Sequence, residues 1–250
     1  MALVHALWPD PNQDDVTDQT LETLYAYPDE LTRPWVQVNF VTSLDGAVTV
    51  GGKSEGLSSP GDKRIFRMER VLADVILVGS TTALVERYRG ARFSPAGVAR
   101  RASLGLAPIP PIAVVTARAS VPPDAPLLTD TEVPPIILTT EAAPAENRKA
   151  LADAGADVVV VGEKDVDLPA ALAELDRRGL RRIDCEGGPR LFGSLIAEDL
   201  VNQLCLTVSP FLAAGDAGRI ANGPTLVEPQ LMHLHAALRD GDFLMLTYRR

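Results

Sequence analysis

The chain has 250 residues, enough for one large α/β domain or two small ones. Hydrophobic residues make up 46% and charged residues 23%, which excludes a disordered chain, and a net charge of −9 argues against a nucleic-acid partner. Residues 1–18 hold no basic stretch followed by an apolar core, and no apolar run reaches membrane-spanning length, so a cytoplasmic protein with no membrane partner is expected.

Residues 14–27 carry Val16, Leu21, Leu24 and Tyr25 among polar residues, a weak helix. Trp35 to Val41 alternates large apolar and polar residues and predicts a strand, which runs into the turn residues Asp45-Gly46. An extended pattern resumes over Ala47 to Val50. Residues 51–61, rich in Gly and Ser, predict a polar loop able to close over a ligand. A helix follows through Leu72, with Ile65, Phe66, Glu69 and Leu72 at helical spacing. Asp74 to Val78 predicts a buried strand, then Gly79 to Thr82 opens a helix reaching about Tyr88. Residues 89–111, rich in Arg, Pro and Gly, predict an irregular loop. Strands are expected at 112–116, 135–139 and 158–162, helices at 144–154 and 168–179, and a loop around Pro122, Pro123 and Pro126. After a strand at 204–208, Asp240-Gly241 between two apolar runs signals a terminal hairpin. The elements add up to one α/β domain with a mixed sheet.

The stretch from Arg182 to Ser194 reads as a buried strand, an acidic end residue, a glycine pair and a helix opened by Pro189. Without side chains at Gly187 and Gly188 a ligand can approach closely, and the free N–H groups of the new helix favour phosphate. A plain strand-turn-helix is the competing reading. Ligands of open α/β sheets bind at the C-terminal ends of the parallel strands, where Gly79 to Thr82, Thr116 to Arg118 and Glu186 to Ser194 fall. Neither the G-x-G-x-x-G fingerprint nor a P-loop is present, and no zinc-deaminase or serine-hydrolase motif occurs. His233 and His235 lie two apart without a third ligand, which favours surface or packing roles, and no metal is expected. Cys185 and Cys205 stand in apolar runs and are expected to be buried thiols.

Four segments together resemble the riboflavin-biosynthesis pyrimidine reductases. They are Asn39 to Gly46, Ala73 to Gly79 with Thr82, Cys185 to Pro189 with Leu191 and Gly193-Ser194, and Asn202 to Pro210. The likeness is nearest to stand-alone actinobacterial members. It implies a dihydrofolate-reductase-like three-layer α/β domain, with a central mixed, mostly parallel sheet and a C-terminal antiparallel hairpin. This domain would span 35–250, with 1–34 an extension packed on it. The implied activity is NADPH-dependent reduction of a ribosylamino pyrimidine 5′-phosphate to its ribitylamino product, by a homodimer. The sugar must open to an imine, and the nicotinamide must lie within about 3–3.5 Å of the accepting carbon.

The resemblance implies that Gly187, Gly188, Pro189, Arg190, Leu191, Phe192, Gly193 and Ser194 seat the NADPH pyrophosphate. It implies further cofactor contacts from Val41, Gly79, Thr82, Glu86 and Val161, with Thr116 and Arg118 beside the 2′-phosphate. Ser54, Arg70 and Arg92 would hold the substrate, chiefly its phosphate, and Glu186 would contact the pyrimidine as a catalytic-site carboxylate. Asp45, in the active-site turn, would either form the turn or handle a proton. Gly56 stands where relatives often carry Trp. Two other readings share the scaffold: a pterin reductase resembling dihydrofolate reductase, and a non-catalytic nucleotide-binding module.

Overall fold

Short apolar runs alternating with helical stretches assemble, in a computed structural model that describes residues 4–10 and 16–250, into one ten-stranded sheet. The strands are β1 (Val4–Trp8), β2 (Trp35–Ser43), β3 (Val75–Gly79), β4 (Ile112–Val115), β5 (Ile136–Thr139), β6 (Asp157–Val160), β7 (Arg182–Cys185), β8 (Gln203–Ser209), β9 (His233–Asp240) and β10 (Phe243–Arg249). Their spatial order is β1-β9-β10-β8-β2-β7-β3-β4-β5-β6. The pairs from β8 through β2, β7, β3, β4 and β5 to β6 are parallel, whereas β1, β9, β10 and β8 pair antiparallel. The sheet is thus mixed, mostly parallel, with an antiparallel C-terminal hairpin.

The helices are α1 (Asp18–Tyr25), α2 (Pro60–Leu72), α3 (Ser80–Val85), α4 (Pro95–Ser103), α5 (Pro126–Thr129), α6 (Ala145–Asp153), α7 (Leu168–Arg177) and α8 (Pro189–Ala197). Alternation along each strand splits the core between two faces. Val38, Leu77, Leu138 and Ile183 pack under Leu172 and Leu175 of α7 and Leu191 and Leu195 of α8. Ile76, Val78, Val114 and Ile137 pack on the other face with Ala83 of α3 and Leu151 of α6. Helices α1 and α2 cover β9 and β10 through Leu21, Tyr25, Ile65, Leu238 and Met245. The start of α2 is pinned by the hairpin turn: Ser59 Oγ and Gly61 N each donate to Asp240 Oδ2 at 2.8 Å.

The structure corrects several expectations. Residues 4–8, without a predicted element, form β1 and pair with β9 at the sheet edge. The weak helix begins at Asp18, and the part of its predicted span at 14–15 lies outside the described residues. Residues 47–50 form no strand; Val50 makes only an isolated bridge to Lys53 across the Gly51-Gly52 turn. The expected loop over 89–111 contains α4, capped by Ser94 Oγ accepting from Gly97 N at 3.3 Å. The proline-rich loop holds the one-turn helix α5. Both cysteines are buried, and burial pushes the Cys185 thiol up to about 12. No helix among the described residues is long and apolar enough to cross a membrane.

Candidate active site

At the C-terminal end of β7 the chain turns from Glu186 through Gly187 and Gly188 into α8. Gly187 has φ +81, and a Cβ there would stand 2.6 Å from the Phe40 ring. A Cβ on Gly188 would stand 2.2 Å from Thr82 Oγ1 at the start of α3. Gly79 N donates to Gly187 O at 2.7 Å, closing the seam between β3 and the glycine pair. Two strand ends and two helix starts therefore meet with bare backbone between them, and the early N–H groups of α8 have no acceptor inside the helix.

This junction forms one wall of a cavity of about 670 Å³. Glu186 lies in it, its side chain only 1% exposed and clamped by Arg70 of α2. Arg70 Nε donates to Oε1 at 2.5 Å and Nη2 to Oε2 at 2.7 Å, a bidentate fork. The Tyr88 hydroxyl donates to the same Oε2. Burial, reinforced by the Glu186 charge, holds the Tyr88 phenol well above its usual range, so it stays a proton donor. Arg70 also stacks on Phe66, its Cζ 4.6 Å from the ring centroid. Three donors thus fill three of about four acceptor positions on Glu186.

Across the cavity Ser54 and Glu86 bond to each other, with Ser54 N at 3.1 Å and Ser54 Oγ at 2.9 Å from Glu86 Oε1. This ties the polar loop to the end of α3. Arg92 and Arg89 both pair with Asp130, and Lys63 lies 3.6 Å from Glu55, so the rim carries cations with exposed side chains.

All four residues expected to hold substrate, Ser54, Arg70, Arg92 and Glu186, line this cavity, as do Val41, Thr82, Glu86, Gly188 and Pro189 from the cofactor set. Thr116 and Val161 stand instead just past the ends of β4 and β6, farther along the same sheet edge, with Arg118 exposed beside Thr116. Arg190 and Ser194 are exposed on α8, whereas Leu191 and Phe192 are buried in the core. A Cβ on Gly193 would lie 2.4 Å from Asn222 O, so the close approach there is made by the chain's own 222–223 segment. Asp45 is not brought into the cavity wall. It accepts from Ser43 Oγ, from Ala213 N at 3.1 Å and from Ala214 N at 2.7 Å. The Ser43 hydrogen bond, helped by those two amides, holds its carboxyl down at about 2. A permanently ionised acceptor of this kind clamps two turns together.

Tyr88, Phe66 and Asn39 line the cavity without having been singled out as ligand contacts. Behind them lie Glu69 and Asp184, both fully buried. A sequence signal existed for Glu69, which occupies an apolar-spaced position of α2.

A family profile described as the RibD C-terminal domain matches residues 34–244. The chain is 33% identical over 198 residues to the 2,5-diamino-6-ribosylamino-4(3H)-pyrimidinone 5′-phosphate reductase of Archaeoglobus fulgidus, covering 78% of this chain and 90% of that relative. The reductase of the same name from Methanothermobacter thermautotrophicus is 32% identical over 197 residues, covering 78% and 87%. In fold, a pyrimidine reductase-like protein from Corynebacterium diphtheriae superposes with a TM-score of 0.80 at 23% identity, over 92% of this chain and 97% of that one. The riboflavin biosynthesis reductase Rib7 of Saccharomyces cerevisiae superposes at 0.61 and 18% identity, over 91% and 96%.

Proposed function

The chain belongs to the RibD C-terminal domain family, and from that membership we propose that it reduces 2,5-diamino-6-ribosylamino-4(3H)-pyrimidinone 5′-phosphate, or the corresponding uracil, to the ribitylamino product with NADPH. The observation that carries this reading is one cavity in which the clamped Glu186 carboxylate faces the bare Gly188 backbone at the start of α8. NADPH, when bound, supplies the hydride. Gly188, Pro189 and Thr82 would hold it beside the cavity, and the first turn of α8 would face its diphosphate. Thr116 and Arg118 are the candidates for its 2′-phosphate, and Val161 for the outer end of the crevice.

Glu186 would accept a pyrimidine N–H on its remaining lone pair, with Arg70 and Tyr88 fixing its orientation. Lys63 and Arg92 at the rim would take the 5′-phosphate in exchange for their present partners Glu55 and Asp130, with Ser54, whose hydroxyl is held by Glu86, beside it. Arg70 would act through Glu186, because both of its bonded nitrogens are already engaged. Asp45 would hold the turn that frames the site, with no part in proton transfer. Residues 1–34 would be an extension integrated through β1, and the exposed apolar side chains of Phe211, Leu212 and Leu231 would suit a homodimer interface; the reaction would run in the cytoplasm.

One observation favours a second reading. Arg70 commits Nε and Nη2 to Glu186, so the charge of this buried cation is matched by a carboxylate, and a phosphate-free pterin would suit that part of the cavity. Protein mixed with NADPH and either the pyrimidine phosphate or a dihydropterin decides between them. Oxidation of NADPH matched by ribitylamino product supports the first reading. Oxidation with the pterin alone supports the second, and none with either leaves only a binding module.

A further inference from the structure

The sheet face beneath α2 is polar where burial favours apolar side chains. Gln37 and Asn39 of β2, Asp184 of β7 and Gln203 of β8 lie on it, and α2 brings Glu69 down among them. Gln37, Gln203 and Glu69 are fully buried. One chain of hydrogen bonds threads the row. Arg249 Nε donates to Gln203 Oε1 at 2.7 Å, Gln203 Nε2 to Gln37 Oε1 at 2.7 Å, and Gln37 Nε2 to Glu69 Oε1 at 3.2 Å.

A guanidinium only donates, so this chain runs one way. Each glutamine must turn its oxygen back toward Arg249 and its nitrogen forward, and Glu69 Oε1 must accept. Glu69 Oε2 is under no such constraint. It lies 2.6 Å from the side-chain amide of Asn39, which lines the cavity. An ionised Glu69 accepts from Asn39 Nδ2 and leaves Oδ1 to the cavity. A Glu69 protonated on Oε2 donates to Oδ1 and leaves Nδ2 to the cavity. Both fit the same heavy-atom positions, since an amide's two ends have nearly the same shape, and 2.6 Å is short for N–H···O and ordinary for O–H···O.

We propose that Glu69 is a positioning residue whose own protonation decides whether Asn39 offers the cavity a hydrogen-bond acceptor or a donor. The proposal rests on the reading of the cavity as a pyrimidine and nicotinamide site, because both ligands carry N–H and C=O groups side by side that tell the two orientations apart. Specificity for one edge of the ligand would then depend on pH.

The surroundings place the switch in a useful range. Facing Glu69 are Asp62 and Arg70 of α2, Asp184 and Glu186 at β7, the Cys205 thiol of β8, and Tyr25 and Tyr27 at the end of α1, with Arg249 of β10 at the far end of the chain of amides. Of the two cations, Arg70 is engaged by Glu186 and Arg249 is separated from Glu69 by two glutamines. Burial first, then Asp62 and Glu186, pushes Glu69 up to about 8 against the hydrogen bonds from Cys205 and Asn39.

Isotope-edited NMR of the Asn39 side-chain amide tests this in the ligand-free protein. The resonances are expected to move in a step that lies well above the ordinary carboxylate range, where burial holds Glu69. In E69Q, whose amide oxygen accepts from Gln37 and whose NH₂ donates to Asn39, that step is expected to be lost and the amide to keep its low-pH orientation, with only the smaller shift imposed by the neighbouring Asp184 remaining. The KM for the pyrimidine phosphate is expected to follow the same step in the wild type and to be flat in E69Q. No step in the wild type, the same step in E69Q, or a KM profile unchanged by E69Q overturns the proposal. If the chain turns over no such pyrimidine, the proposed function fails while the NMR titration still decides the role of Glu69. If E69Q does not fold, the wild-type titration decides alone.

Discussion

Asp184 sits in the middle of β7, fully buried, with neither carboxylate oxygen hydrogen-bonded. Burial, with the Glu186 and Glu69 charges beside it, raises its pKa well above the ordinary 3.8. A raised carboxyl stabilises the fold fully below the unfolded value and loses that contribution as pH climbs toward the folded one. Asp184→Asn removes the titration, so its Tm relative to wild type should become more favourable as pH rises above the ordinary carboxylate range. A pH-independent difference in thermal melts would contradict this. Asp45 has the opposite sign. Its carboxyl is held at about 2, so the contribution it makes is present above the unfolded value and fades only as pH falls through about 2. No limb of the pH–rate profile in the neutral range should therefore vanish in Asp45→Asn. Arg70→Lys keeps a charge but not the fork on Glu186. It should lower kcat/KM by at least about tenfold, the equivalent of about 1.4 kcal/mol, and steady-state kinetics would show a silent change if the clamp were irrelevant.

Helix α4 shows how an element can be built from residues that read as loop. Its fully buried side chain is Arg101, a residue that hydrophobic periodicity does not count. Arg101 Nη1 donates to the carbonyls of Arg70, Val71 and Ala73 at 3.0, 3.0 and 2.7 Å, and Nε to Ala107 O at 2.7 Å. It thereby caps the C-terminal end of α2, the helix that carries Glu69 and Arg70. Arg101→Met strands those acceptors and should cost at least about 2 kcal/mol in denaturant unfolding, with activity falling in step because α2 loses its end. The strands other than β1, together with α8 and the glycine junction, were legible because apolar runs, Gly-Gly-Pro and the Asp240-Gly241 turn are local signals. The polar row under α2 was not legible as interior: Gln37, Asn39 and Gln203 look solvent-facing until α2 covers them. The seat expected over all of Gly187 to Ser194 narrows for a tertiary reason, since Gly193 is packed against Asn222 by a long connection that no local pattern reports.

At the scale of the whole molecule, the parallel strands direct Gly187, Gly79, Thr116 and Val161 to one sheet edge, and the cavity opens where β2, β7 and β3 end beside α2 and α3. The antiparallel half anchors α2 through Asp240 and so holds Arg70 and Glu69 over the site. A dinucleotide on the first turn of α8 would reach the cavity past Thr82, whose Oγ1 already stands where a Cβ on Gly188 would go, so a side chain there would displace Thr82 into the ligand's path. Gly188→Val should therefore weaken NADPH binding by at least about tenfold, an estimate set by the overpacking cost of a crowded contact. Equal affinity in calorimetry would place the cofactor elsewhere. The most direct test of the whole account is a reaction run with NADPH deuterated at the transferring position and the ribosylaminopyrimidinone phosphate. The account predicts a ribitylamino product that carries the deuterium on C1 of the ribityl chain, the carbon of the former imine. A product without it, or no consumption of NADPH, would contradict the account.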